Sequence, residues 1–122
     1  MQMKNGQNKH FMPLCNDYDF IRFVADTDCV PHYEYIEQRF YSYAITTRCI
    51  MKANSIVELC MQLDIIGFNG SKVPLVIYPG VESDCNQNEM KALVDYCDNH
   101  DVDIHVFKTW NELREDGRFD GI

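Results

Sequence analysis

Three groups of residues have types and spacings that could do chemistry. The first is Cys85, which stands directly before Asn86, the opening of a helical pattern. A thiol at a helix N-terminus can lose its proton more readily and act as a nucleophile. Here neither C-x-x-C nor C-x5-R occurs, and Glu82 and Asp84 stand close by as carboxylates that would keep the proton on. An ordinary loop cysteine is the preferred reading, and a thiol enzyme using Cys85 is the least favoured function. The second group is His100 and His105 with Cys97, Asp98, Asp101 and Asp103, all residue types that ligate metals. It spans a helix end, a turn and an alternating strand, so its members point in different directions and neither a metal nor another cofactor is expected. His10 and His32 stand alone, and no G-x-S-x-G elbow is present. No catalytic residue is therefore assigned.

The third group is Trp110, Arg114, Arg118 and Phe119. Two of the five arginines lie four positions apart, flanked by two aromatic rings, in a chain that is otherwise acidic. Guanidinium groups grip phosphates through paired hydrogen bonds, and aromatic rings stack on bases or sugars. These four are the expected ligand-binding residues for an anionic, nucleotide-type small molecule. The competing reading pairs Arg114 and Arg118 with Glu112, Glu115 or Asp116 on a solvated helix end.

Lysine and arginine total 11 against 19 for aspartate and glutamate, a formal net charge of −8. Such a surface repels a phosphate backbone at long range, so general nucleic-acid binding is not expected. The 122 residues suffice for one hydrophobic core, assigned to a single domain over 17–122, with 1–16 as a partly disordered N-terminal tail. Six cysteines at 15, 29, 49, 60, 85 and 97 form no C-x-x-C pair, and the first ten residues are polar. They read as reduced thiols in a cytoplasmic protein. No apolar run approaches the length of about 20 residues that a membrane helix needs.

The elements that must position these groups announce themselves through three capping boxes: Ser55 with Glu58, Asn86 with Glu89, and Thr109 with Glu112. After the first, Ile56, Leu59, Cys60, Leu63 and Ile66 recur at helical spacing until Gly67. After the second come Met90, Leu93, Val94 and Cys97, with Asn99 as the expected cap. The third opens a short helix with Trp110 and Leu113 before Gly117. Each helix follows a strand-like segment. Residues 40–51 alternate as one half-buried strand, 73–78 are apolar on both faces, and 102–107 alternate again. The N-terminal third is harder to read: 17–25 fits helix and strand equally, and Pro31–Phe40 reads as a helix with Tyr33, Ile36 and Phe40 on one stripe. The predicted fold class is α/β, a small parallel-containing sheet of three or four strands with helices packed on it, βαβαβα in the C-terminal two-thirds.

In such sheets ligands bind beyond the carboxyl ends of the strands. That rule selects the loops Lys52–Ser55, Pro79–Asn88 and Lys108–Thr109. The longest lacks both glycine-rich phosphate-binding patterns, which argues against a standard mononucleotide site. Asn69-Gly70-Ser71 matches the glycosylation sequon and reads as a turn.

The chain's length and its Arg114, Arg118, Phe119 ending resemble those of the phage anti-Thoeris signal-sponge proteins, small oligomers that hold a cyclic ADP-ribose-type messenger with arginines near the C-terminus. The resemblance spans about a tenth of the chain. It implies a non-enzymatic phage or mobile-element accessory protein of anti-defence type, a homo-oligomer that sequesters its ligand without cleaving it. The alternative is an inhibitor or adaptor that meets a host protein through its acidic surface or through Tyr33, Tyr35, Tyr41 and Tyr43.

Overall fold

The computed structural model describes residues 17–25, 27–66 and 73–119. The proposed tail, the Gly67 stop and the Asn69-Gly70-Ser71 turn lie outside the described residues. Nine elements follow in order: β1 (Tyr18–Val24), β2 (His32–Tyr41), β3 (Ala44–Ala53), α1 (Ile56–Ile65), β4 (Leu75–Ile77), α2 (Val81–Asp84), α3 (Gln87–Asn99), β5 (Ile104–Val106) and α4 (Trp110–Asp116).

The strands form one five-stranded mixed sheet in the order β3-β2-β1-β4-β5, one strand more than expected at most. β2 runs antiparallel to both neighbours, while β1, β4 and β5 are parallel. The βαβαβα order of the C-terminal two-thirds is present. Alternation along the strands gives the sheet two apolar faces. Ile21, Tyr33, Tyr35, Leu75 and Ile77 meet Ile56, Leu59 and Leu63 of α1 and Leu93 and Cys97 of α3 on one side. On the other, Tyr18, Phe20, Ile36, Val76 and Tyr78 meet Leu113 of α4 and Phe119. β4, buried throughout, lies inside the sheet between β1 and β5, as its two-sided apolar sequence requires.

Pro31–Phe40 is a strand, not a helix. Its stripe of Tyr33, Ile36 and Phe40 fits a helical period, but Tyr33 and Tyr35 also alternate against Ile36, and both faces find cover. Backbone pairing with β1 on one side and β3 on the other settles a local ambiguity that tyrosine, isoleucine and phenylalanine leave tilted toward extended structure. Residues 17–25, readable either way, form β1 for the same reason.

The single strand expected over 40–51 is divided by a hairpin turn. Ser42 and Tyr43 both adopt positive φ, 50° and 66°, the geometry of a two-residue turn that matches strand twist. Beyond it, β3 is exposed from Ala44 to Cys49, so the half-buried assignment holds only for its second half. A register shift opposite Tyr35 and Ile36 leaves Ile50 without a partner on β2.

All three N-caps form, and two of the three expected capping boxes are completed by the glutamate's return bond. Ser55 Oγ accepts from the Glu58 amide at 3.1 Å, Asn86 Oδ1 from that of Glu89 at 2.8 Å, and Thr109 Oγ1 from that of Glu112 at 3.1 Å. Glu58 and Glu112 reach back to the amides of Asn54 and Lys108, each at 2.9 Å. Ser55→Ala should cost about 1 kcal/mol, lowering the melting midpoint by about 4 °C in a calorimetric scan. At the C-terminal ends, His100 rather than Asn99 caps α3, and Gly117 closes α4 with φ 76°. Ile66, placed by sequence on the buried stripe of α1, is its C-cap and is half exposed. The short α2 inside the Pro79–Asn88 loop has no sequence signature beyond Gly80, whose φ of 105° favours glycine.

Candidate functional site

The carboxyl ends of β1, β3, β4 and β5 share one rim of the sheet, the end at which β2 begins. The expected loops lie there, and so does α2, tied down by the Tyr33 hydroxyl donating to Asp84 Oδ2 at 2.6 Å. Cys85 caps the end of α2. Burial, then the carboxylates of Glu89, Asp84 and Glu82, push its thiol above the ordinary range. That is the wrong direction for a nucleophile working near neutral pH. Burial pushes Cys60 up to about 11 and Cys97 up to about 12. The five described cysteines are free thiols. Iodoacetamide at about pH 7.5 should therefore modify exposed Cys29 first, with Cys85 and Cys60 slower and Cys97 last, as peptide mass mapping over time would show. Fast labelling of Cys85 would overturn this order.

The predicted metal-ligating types turn to separate partners. His100 Nδ1 donates to the Tyr96 carbonyl at 2.8 Å while its ring stacks on Tyr96. His105 faces Asp103 at 3.1 Å, and Cys97 is buried in the core. Among the described residues no three histidine, cysteine or acidic side chains come together as a metal site would require.

Of the four expected ligand-binding residues, the structure leaves three, Trp110, Arg114 and Arg118, on the surface. Trp110 is 45% exposed with its ring edge-on to Tyr78, and Arg114 is exposed and donates to Asn111 Oδ1 at 3.2 Å. Arg118 is clasped by Asp116 through Nε at 2.7 Å and Nη2 at 2.9 Å. Phe119 is only 5% exposed, packed against Tyr18, His105 and Phe107. The four do not present one common aromatic and cationic face. Of the four tyrosines considered for a partner surface, Tyr33 and Tyr35 are core, whereas Tyr41 and Tyr43 are exposed at the hairpin tip.

Two features emerge that the sequence reading did not single out. One lies on α1, whose buried residues Ile56, Leu59 and Leu63 occupy one side. On the other, Val57, Met61 and Ile65, spaced four apart, are 45%, 62% and 82% exposed. A helix apolar on both sides is ordinarily covered on both. The signal was present in the run Ile-Val-Glu-Leu-Cys-Met-Gln-Leu-Asp-Ile, where apolar residues exceed what one buried stripe needs.

The other feature is Glu34, a carboxylate on β2 that is only 6% exposed. Arg22 across on β1 donates to it from Nη2 at 2.6 Å, and His32 Nε2 stands at 2.8 Å. Lys52, opposite on β3, lies at 4.0 Å. Burial opposes ionisation of Glu34, but the hydrogen bonds from His32 and Arg22 outweigh it and hold the carboxyl below its usual range. Beside this cluster a cavity of about 290 Å³ opens at the rim, lined in part by Cys29, His32, Lys52, Asn54 and Glu58. The Lys52–Ser55 loop was one of the three expected from topology. His32 and Glu34 carried no signal in sequence, since cross-strand register assembles them with Arg22 and Lys52.

Among the described residues no helix is long and apolar enough to cross a membrane. No protein-family model matches the chain, and no curated protein or solved structure matches it either.

Proposed function

We propose that this is a non-catalytic binding protein of the cytoplasm that docks through the outer face of α1 onto a basic partner protein, as an inhibitor or adaptor. The observation that carries this reading is the exposed Val57, Met61 and Ile65 stripe. Burying what remains exposed of these three side chains would contribute on the order of 4 kcal/mol, a useful driving force for association. Charge selects the partner. α1 carries Glu58 and Asp64 and no basic residue, and the chain as a whole is at −8. A second copy would bring the same carboxylates against them, whereas a helix or groove that is apolar at its centre and rimmed by lysine or arginine would complement both features.

The reading as a sponge for an anionic messenger remains an alternative for the same chain, but Trp110, Arg114, Arg118 and Phe119 support it less well. Asp116 already neutralises Arg118, and the Phe119 ring is committed to the core.

The test compares the unaltered chain with a Met61→Glu/Ile65→Glu double variant, in cross-linking from native cells and in titration with a synthetic amphipathic leucine-lysine helix. The expected result is a basic partner and peptide affinity in the first case, and loss of both in the variant at unchanged circular dichroism. Equal capture and equal peptide affinity for the two proteins would overturn the proposal.

A further inference from the structure

The cluster around Glu34 holds more positive charge than its carboxylate can balance. Arg22 and Lys52 are permanent cations at neutral pH. His32 joins them because both of its ring nitrogens face acceptors: Nδ1 lies 2.7 Å from the Val30 carbonyl and Nε2 lies 2.8 Å from Glu34. A neutral imidazole has one N–H and can satisfy only one of these, whereas the imidazolium satisfies both. The hydrogen bond to Val30, then that to Glu34, accordingly raises the His32 pKa above its ordinary 6.5. Three cations thus face one buried carboxylate.

The other groups around the cavity do not remove the surplus. Glu58, on the α1 wall, is occupied in the capping box by the Asn54 amide at 2.9 Å and approached by Gln62. Cys29 contributes a thiol from the loop before β2. Cys49 of β3 is an exposed thiol whose pKa is raised by partial loss of hydration and then by the charge of Glu34, so it adds no positive charge. Counting Glu34 and Glu58 against Arg22, His32 and Lys52 leaves one positive charge, on a protein whose total is −8. Lys52 is the mobile member. Its ammonium is 4.0 Å from Glu34 and its side chain is largely exposed, so it can turn toward a ligand without breaking a close hydrogen bond. The cavity also meets the start of α1, whose dipole adds partial positive charge.

The geometry points to a second binding site, separate from the Val57, Met61 and Ile65 stripe, in which this rim cavity takes a small phosphate-class oxyanion. Lys52 grips the anion, and the imidazolium of His32 supplies a charge that is lost as the pH rises. At about 290 Å³ the cavity is at the small end of ligand pockets, which suits a phosphate group or a diphosphate better than a whole dinucleotide. The phosphate could be free or carried on a nucleoside, and the two sources share the same gripping chemistry.

Calorimetric titration at constant ionic strength tests this with three probes: inorganic sulfate, whose charge does not change over the range used, inorganic pyrophosphate, and adenosine diphosphate beside uncharged adenosine. Sulfate should bind more tightly at about pH 6 than at about pH 8.5, by up to about tenfold, because His32 loses positive charge as the pH rises. Lys52→Gln should weaken every anion by about tenfold or more while Lys108→Gln leaves them unchanged. His32→Gln should abolish the pH dependence. Adenosine diphosphate binding like pyrophosphate, with adenosine inert, would identify the phosphate as the recognised part. A measurement that needs no variant is the shift of the His32 imidazole signals in the NMR spectrum of the unaltered chain on adding sulfate. Absence of binding at about pH 6, unshifted His32 signals, or unaltered affinity in Lys52→Gln would overturn the site. A pH-independent affinity would overturn the role of His32.

Discussion

Replacing Asp19 with alanine is expected to destabilise the protein by about 3 kcal/mol. Asp19 is a β1 carboxylate only 4% exposed, and two partners depend on it. The Tyr35 hydroxyl donates to Oδ2 at 2.5 Å and Arg39 Nη1 donates to Oδ1 at 2.9 Å. Arg39 continues to Glu37 at 3.4 Å, and Glu37 to Arg48 at 2.9 Å, so the network runs from the sheet interior to solvent across three strands. Alanine would take the Asp19 bond from the buried Tyr35 hydroxyl and remove the main counter-charge of a guanidinium that is three-quarters covered. The partial exposure of Arg39, which lets it turn to water, keeps the expected value at the low end of the range for broken buried pairs. Urea unfolding with an unchanged slope measures the loss. Adding Tyr35→Phe to the alanine variant should recover part of it, since the hydroxyl that lost its Asp19 bond goes too. A loss below about 0.5 kcal/mol would show that water already replaces the network.

The second large effect belongs to α1. Leu59 is fully buried between the helix and the sheet, and Leu59→Ala should cost about 3 kcal/mol through lost transfer energy and the cavity left behind. Met61→Ala, two residues on but facing outward, should change stability by less than about 0.5 kcal/mol. The same helix thus separates folding from docking. If Met61→Ala proved as costly as Leu59→Ala, the outer stripe would be structural and the proposed partner surface would be lost.

What sequence could reveal divides along the range of the interactions that decide it. Caps at Ser55, Asn86 and Thr109 are contacts within four residues, and all three caps form, though only Glu58 and Glu112 return the bond. β4 betrays its interior place because Leu75, Val76 and Ile77 leave no face for water. β2 was misread because its stripe of Tyr33, Ile36 and Phe40 satisfies a helical period as well as an extended one, and the decision rests with β1 and β3. The Ser42-Tyr43 turn was invisible for a different reason: it lacks the Asn-Gly or Asp-Gly chemistry that ordinarily marks positive φ.

The candidate sites follow the same division. The Lys52–Ser55 loop could be found from topology, but Arg22, His32 and Glu34 become a charge cluster only through the pairing of Arg22 with Glu34 and Glu34 with Lys52. Arg118 illustrates the converse: its local partner Asp116, two residues away, was among those named in the competing reading.

The position of β3 bears on how the protein stays dispersed at high concentration. Among the described residues it pairs with β2 alone, so ten residues of backbone form a rim that other chains could extend into fibres. Arg48 and Lys52 place like charges wherever two such rims approach, and the irregularity at Ile50 bends the template out of flatness. Aggregation resistance therefore resides in two side chains that folding itself hardly needs.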